Sequence, residues 1–299
     1  MAAEVSIPPP RGQRWRWLLV FFSGLALWIL AVLVTGLTRN PNLIPTVVLV
    51  GSFLIPATAV IYYLDHLPSP TVSAQRVFIA FLYGGVLGVL AASLLEAWLL
   101  QDGPLVYVGV GLIEEFAKVL ALLLISVGIQ RYTARDGIVL GAAVGFGFAA
   151  LESSGYALIA LFTPHGLSLT NLVFAEVLRG ILAPVGHGLW TGILGGALFA
   201  AASRSGRLAI FAPRFIGLFF AVALLHALWD SMRGIAILLT LVVTSSTGLI
   251  QGGSIPRAAA VVPWIFILFE FGGIGVISAV GLWMLRRTWK RAIQPAPPF

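Results

Sequence analysis

Apolar residues run along this chain in stretches of about 20, separated by short segments that hold most of the arginine. A helix of about 20 residues rises about 30 Å, the thickness of bilayer hydrocarbon. The pattern predicts eight transmembrane helices at about 17–37, 44–64, 77–100, 104–130, 137–162, 174–202, 213–243 and 258–285. Several exceed 25 residues and are expected to tilt, kink or protrude. The segment 213–257 is the hardest to divide: Arg233-Gly234 could split it, and Ser245-Ser246-Thr247-Gly248 reads as a turn. The fold class expected is all-α, a polytopic bundle of about eight spans. It forms one transmembrane domain, 17–285, between a disordered tail, 1–16, containing Pro8-Pro9-Pro10, and a cytoplasmic tail, 286–299. Trp17–Leu37 is too long for the apolar core of a signal peptide and is kept as the first span.

Composition narrows the class. With 59% hydrophobic residues, 10% charged residues and a mean hydropathy of +1.01, the chain is not built as a soluble globule. No cysteine is present, which removes disulfide and thiolate chemistry. A pI of about 10.4 points to anionic lipid head groups rather than nucleic acid, because the basic residues sit in short loops. Thirteen of the 18 lysines and arginines fall on the side that carries Arg11, Arg76, Arg131, Arg204 and Arg286, against Arg39 and Arg257 on the other. The positive-inside rule places both termini in the cytoplasm.

Against this background the ionisable residues inside spans stand out. Glu114, Glu115 and Lys118 lie in one apolar segment, and Glu152, His187, His226 and Asp230 lie deep in others. A charged side chain at mid-bilayer costs roughly 2.5–3.5 kcal/mol on insertion scales, so it marks function by default. On the predicted topology Glu114, Glu152, His187 and His226 fall within a few ångströms of a common level, which suggests a wet site enclosed by helices. Lys118 is i,i+4 from Glu114 and i,i+3 from Glu115, so one glutamate can pair with it while the other activates water. The glycine-rich run from Gly141 to Gly147 lets its helix approach neighbours closely and carry Glu152 towards that pair. His226 and Asp230 are i,i+4, so a carboxylate can fix the imidazole tautomer. The set is able to bind zinc, with Glu152, His187 and His226 as ligands, or to work without a metal. No HExxH, no Gly-x-Ser-x-Gly and no pair of intramembrane aspartates is present. Glu176 and Arg179 are expected to pair with each other, Arg179 having a substrate carbonyl or a site carboxylate as alternative partners. Glu96 is expected near the outer interface in reach of water, and Arg233 beside Asp230 as its counter-charge. Glu270 has no evident role.

Taken in order, Glu114-Glu115-Phe116-Ala117-Lys118, Phe148-Ala149-Ala150-Leu151-Glu152, His187-Gly188 and His226-Ala227-Leu228-Trp229-Asp230 resemble the PrsW family of intramembrane proteases. That family is related to the CAAX-protease/bacteriocin-processing superfamily. The resemblance covers about residues 104–243 and implies glutamate-dependent proteolysis of membrane-anchored substrates, with zinc as the candidate cofactor. It implies single-span substrates of the anti-sigma-factor type. A prokaryotic cell membrane is the expected location, because the chain is compact and shows no organelle-targeting features. Glu114 and Glu115 correspond to the water-activating pair, and Glu152, His187 and His226 to the remaining site residues. Lys118, Asp230 and Arg179 take supporting positions. One departure is Ser153, where many relatives carry asparagine. Two other readings compete: a proton- or cation-coupled transporter, and a non-catalytic scaffold that binds a partner's transmembrane helix.

Overall fold

The computed structural model describes residues 15–67, 69, 71–246 and 255–292. Its helices are α1 (Arg16–Thr38), α2 (Ile44–His66), α3 (Ala74–Leu99), α4 (Val106–Ile125), α5 (Ala134–Leu161), α6 (Leu169–Leu182), α7 (His187–Ser205), α8 (Pro213–Ser246) and α9 (Ile255–Ala292). The one sheet among the described residues is a two-stranded antiparallel ribbon, β1 (Phe162–Thr163) with β2 (Gly166–Leu167), between α5 and α6. Seven helical segments among the described residues are long and apolar enough to cross a membrane, with α6 and α7 counted as one segment. The 20-residue helix α4 falls outside that set, carrying Glu114, Glu115 and Lys118.

All eight expected spans correspond to helices, with three differences. The sixth is broken: a 3₁₀ turn at Ala183–Val185 and then Gly186 separate α6 from α7. Pro184 cannot donate the backbone hydrogen bond that an unbroken helix needs. His187, expected near mid-span, therefore opens a new helix. At 213–257 no break occurs at Arg233-Gly234, and α8 runs unbroken to Ser246. Thr247 and Gly248 of the expected turn lie outside the described residues. Finally, α9 continues to Ala292, so the residues expected as a tail from 286 begin as helix. The N-terminal tail is undescribed up to residue 14.

Helix α5 is the axis of the bundle, with 83% of its most apolar window buried. Glycine explains how. Gly137, Gly141 and Gly145 recur every four residues on one face, and a Cβ at any of them would overlap the backbone of α7 at Gly195, Thr191 and His187. Gly147 meets α3 at Phe81, while Gly84 and Gly85 of α3 meet Val144 and Gly147 in return. On α4, Gly111 lies against the backbone of α8 at Ala223. These contacts leave α4, α5, α7 and α8 with no room to rotate, and each carries one or more of the ionisable groups. At the helix starts, Ser73, Thr133 and Ser168 cap α3, α5 and α6 through their side chains.

Candidate functional site

Four helices deliver the polar residues to one buried cluster. From α4, Lys118 places its ammonium 3.0 Å from Glu114 Oε2 and 2.9 Å from Glu115 Oε1. The stem of Lys118 is fully buried and its Nζ lies 4.0 Å from the centre of the Phe148 ring, a cation–π contact. The same ammonium reaches His187 Nδ1 at 2.8 Å. The lysine thus joins both glutamates of α4 to the first residue of α7, rather than choosing one of the pair.

Each imidazole is backed by a carboxylate. His187 Nε2 lies 3.0 Å from Glu152 Oε2, while its Nδ1 accepts from Lys118. His226 Nδ1 lies 3.0 Å from Glu115 Oε1, and its Nε2 faces Glu114 Oε2 at 3.5 Å and Asp230 Oδ2 at 3.4 Å. One nitrogen of each ring lies against a carboxylate, Glu152 for His187 and Glu115 for His226, a contact that orients the imidazole. Trp190 fixes the two rings from the α7 side, with centroids 5.4 Å from His187 and 4.8 Å from His226. Trp190 is fully buried, and the sequence reading missed it; its position one turn after His187 was the available signal.

Ligand atoms of Glu114, His187 and His226 lie within 4.8 Å of one another. That set differs from the expected one. Glu152 stands behind His187 as its hydrogen-bond partner, and Glu114 completes the triangle instead. One carboxylate and two imidazoles are a donor set that zinc accepts in catalytic sites. The donor types therefore fit a divalent cation, which would have to displace Lys118 Nζ from Glu114 Oε2 and His187 Nδ1, the two donors that ammonium now bonds.

Arg179 corrects a second expectation. Glu176 turns away from it to α1 and α2, accepting from Trp28 Nε1 at 2.7 Å and Ser52 Oγ at 3.5 Å. Arg179 instead pairs with Glu152 and donates through Nε to Ser153 Oγ at 2.8 Å. Ser153, at the position where resemblance led to asparagine, supplies an acceptor to that arginine. Arg233 makes no ion pair with Asp230 within 4.0 Å, and Glu270 has no hydrogen bond or ion pair among the described residues. A cavity of about 50 Å³ opens beside His187, lined among others by Ala149, Ser153, Arg179, Gly186 and Trp229. A water needs roughly 10–15 Å³ of such volume, so the cavity has room for one to a few. A roomier cavity of about 430 Å³, lined by Arg16, Leu64 and Val77, holds none of these groups.

Glu114 is the less buried member of the α4 pair, with 7% exposure against 0% for Glu115. Its Oε1 makes no hydrogen bond among the described residues. The arrangement therefore offers a carboxylate with one unengaged oxygen, two imidazoles set against carboxylates, and a guanidinium beside a small cavity. A family model described as PrsW family intramembrane metalloprotease matches residues 73–251, which contain every residue of the cluster. No curated protein and no solved structure matches the chain.

Proposed function

Because this chain belongs to the PrsW family of intramembrane metalloproteases, we propose that its Glu114–His187–His226 cluster hydrolyses peptide bonds of membrane-anchored proteins. The observation that carries the reading is the convergence of these groups from α4, α7 and α8, each imidazole backed by its own carboxylate. An isolated salt bridge between helices would not need either imidazole oriented in this way.

In this reading Glu114, His187 and His226 would hold a divalent metal, which supplies Lewis acidity at the reacting oxygen. The chain's own groups do the rest. Glu114, through Oε1, takes a proton from a water admitted to the cluster; the hydroxide adds to the peptide carbonyl carbon, and the proton passes to the amine as the C–N bond breaks. Glu115 and Glu152 keep His226 and His187 in their tautomers. Arg179, which uses Nε and one Nη on Ser153 and Glu152, has further N–H donors to offer the substrate carbonyl as charge develops on it. Helices α4, α5, α7 and α8 exclude bulk solvent, which strengthens each of these interactions. A substrate helix must unwind locally before it reaches Arg179, because a helical peptide hides its carbonyls.

Single-span proteins of the anti-sigma-factor type are the substrates that the family resemblance suggests. The distribution of basic residues supports cytoplasmic termini. The test is cleavage of candidate single-span proteins in cells carrying wild type, Glu114→Gln, Glu115→Gln or His226→Ala at matched levels. Fragments should form with wild type alone. Equal cleavage by the Glu114→Gln variant would overturn the assignment.

A further inference from the structure

Lys118 holds two of the three atoms that a metal would need. Those atoms face one another: Glu114 Oε2 lies 3.9 Å from His187 Nδ1 and 3.5 Å from His226 Nε2. Lys118 Nζ donates to Glu114 Oε2 at 3.0 Å, to Glu115 Oε1 at 2.9 Å and to His187 Nδ1 at 2.8 Å. An ammonium has three N–H donors and no acceptor, so these bonds use its whole capacity. Lys118 and Glu115 are both fully buried, which leaves no bulk water to take over a bond that breaks. As it stands, the ammonium closes the cluster to a second cation.

The same carboxylate offers that ammonium somewhere to go. Glu115 Oε2 is buried and has no hydrogen-bond partner, although Oε1 is shared by Lys118 and His226. An acceptor buried without a donor is costly, and the cost is recovered when a donor arrives. Lys118 lies one turn from Glu115 on α4 and already bonds its carboxylate. A side-chain rotation, rather than a helix movement, therefore separates Nζ from Oε2. His187 keeps its Nε2 on Glu152 throughout, so its Nδ1 is freed without the ring turning.

We propose that Lys118 is an internal place-holder for the metal. It links Glu114 to His187 in the metal-free protein and moves wholly onto Glu115 when a divalent cation binds. The proposal rests on the metal-dependent form of the protease reading above. It has the opposite sign to a bracing role. A lysine that competes for the ligand atoms lowers metal affinity by the fraction of molecules in which it holds them. A lysine that only braces the ligands raises affinity, and its removal weakens binding.

The test reads zinc rather than cleavage. Full-length wild type and Lys118→Met in nanodiscs would be compared by chelator competition, with the zinc-induced rise in unfolding temperature as a second reading. Methionine keeps an apolar stem beside Phe148 and removes the ammonium. Lys118→Met should bind zinc at least about tenfold more tightly, the scale of one charge-assisted hydrogen bond that no longer has to break. Equal or weaker affinity overturns the proposal and makes Lys118 a brace. A second measurement does not depend on that variant folding. The chain has two lysines, Lys118 and Lys290, so Lys290→Arg protein isotopically labelled at lysine Nζ shows Lys118 alone. With labelled histidine rings, solid-state NMR should show its coupling to His187 without metal and lose it with zinc. Coupling that survives zinc saturation overturns the proposal. If neither wild type nor Lys118→Met binds zinc, the place-holder falls together with the metal. Cleavage by wild type that Glu114→Gln abolishes would still leave the protease reading standing.

Discussion

Replacing Gly145 with alanine puts a methyl group into the backbone of α7 at the residue that begins it. The added Cβ would lie 2.6 Å from the carbonyl carbon of His187 and 2.9 Å from the Cα of Gly188, and closer still to the His187 oxygen. Ordinary contact begins at 3.4 Å, so α7 must retreat by at least about 0.8 Å at this point. The obstacle is backbone on both sides, and no side-chain rotation relieves it. Overpacking of this kind costs ~1–3 kcal/mol of stability. The effect on chemistry is larger than the effect on folding. His187 bonds to Glu152 at 3.0 Å and to Lys118 at 2.8 Å, and a misplacement of about 1 Å in a catalytic constellation can cost ~100-fold in rate. Two neighbours separate the causes. Gly137→Ala meets Gly195 two turns lower on the same pair of helices, so it shares the packing penalty without touching His187. Gly155→Ala meets nothing within 4 Å and serves as the neutral control. Cleavage rate and thermal unfolding would be measured for all three in detergent. The expected order is a rate loss of ~100-fold for Gly145→Ala beyond any loss in Gly137→Ala, with Gly155→Ala like wild type. Gly145→Ala retaining wild-type cleavage would refute the close packing of α5 on α7 at the site.

Other consequences are open to direct measurement. Glu115→Gln removes the carboxylate that orients His226 and should weaken zinc binding by ~10–100-fold, read by competition with a chromogenic chelator. Treatment with 1,10-phenanthroline should stop cleavage and added zinc should restore it; activity that survives full chelation would favour the metal-free route. Arg179→Lys keeps the charge but loses the planar fork shared by Ser153 and Glu152, so kcat should fall by roughly tenfold or more with protein levels preserved. Trp28→Phe leaves the buried Glu176 without its indole donor at 2.7 Å, and the detergent-solubilised protein should lose ~1–3 kcal/mol in denaturation, with the site distances and metal affinity unchanged.

Much of this protein is one-dimensional information. Spans follow from runs of apolar residues, because a helix crossing lipid must satisfy its own backbone and present hydrocarbon outwards. The same cost makes Glu114, Glu115, Lys118, Glu152, His187 and His226 conspicuous before any fold is known. Pairs on one helix are equally legible: Glu114 with Lys118, Glu115 with Lys118 and His226 with Asp230 meet because three or four residues make one turn. Contacts between helices are different in kind, since they depend on how far each helix is rotated and slid against the next. Glycine positions on α3, α4 and α5 set that register, and the sequence shows the glycines without showing what they touch. So the partner of Arg179 turned out to be Glu152 rather than the nearby Glu176, and Glu114 rather than Glu152 joined the two histidines. Hydropathy decides which residues are in the membrane, and only the packing of backbone on backbone decides which of them meet.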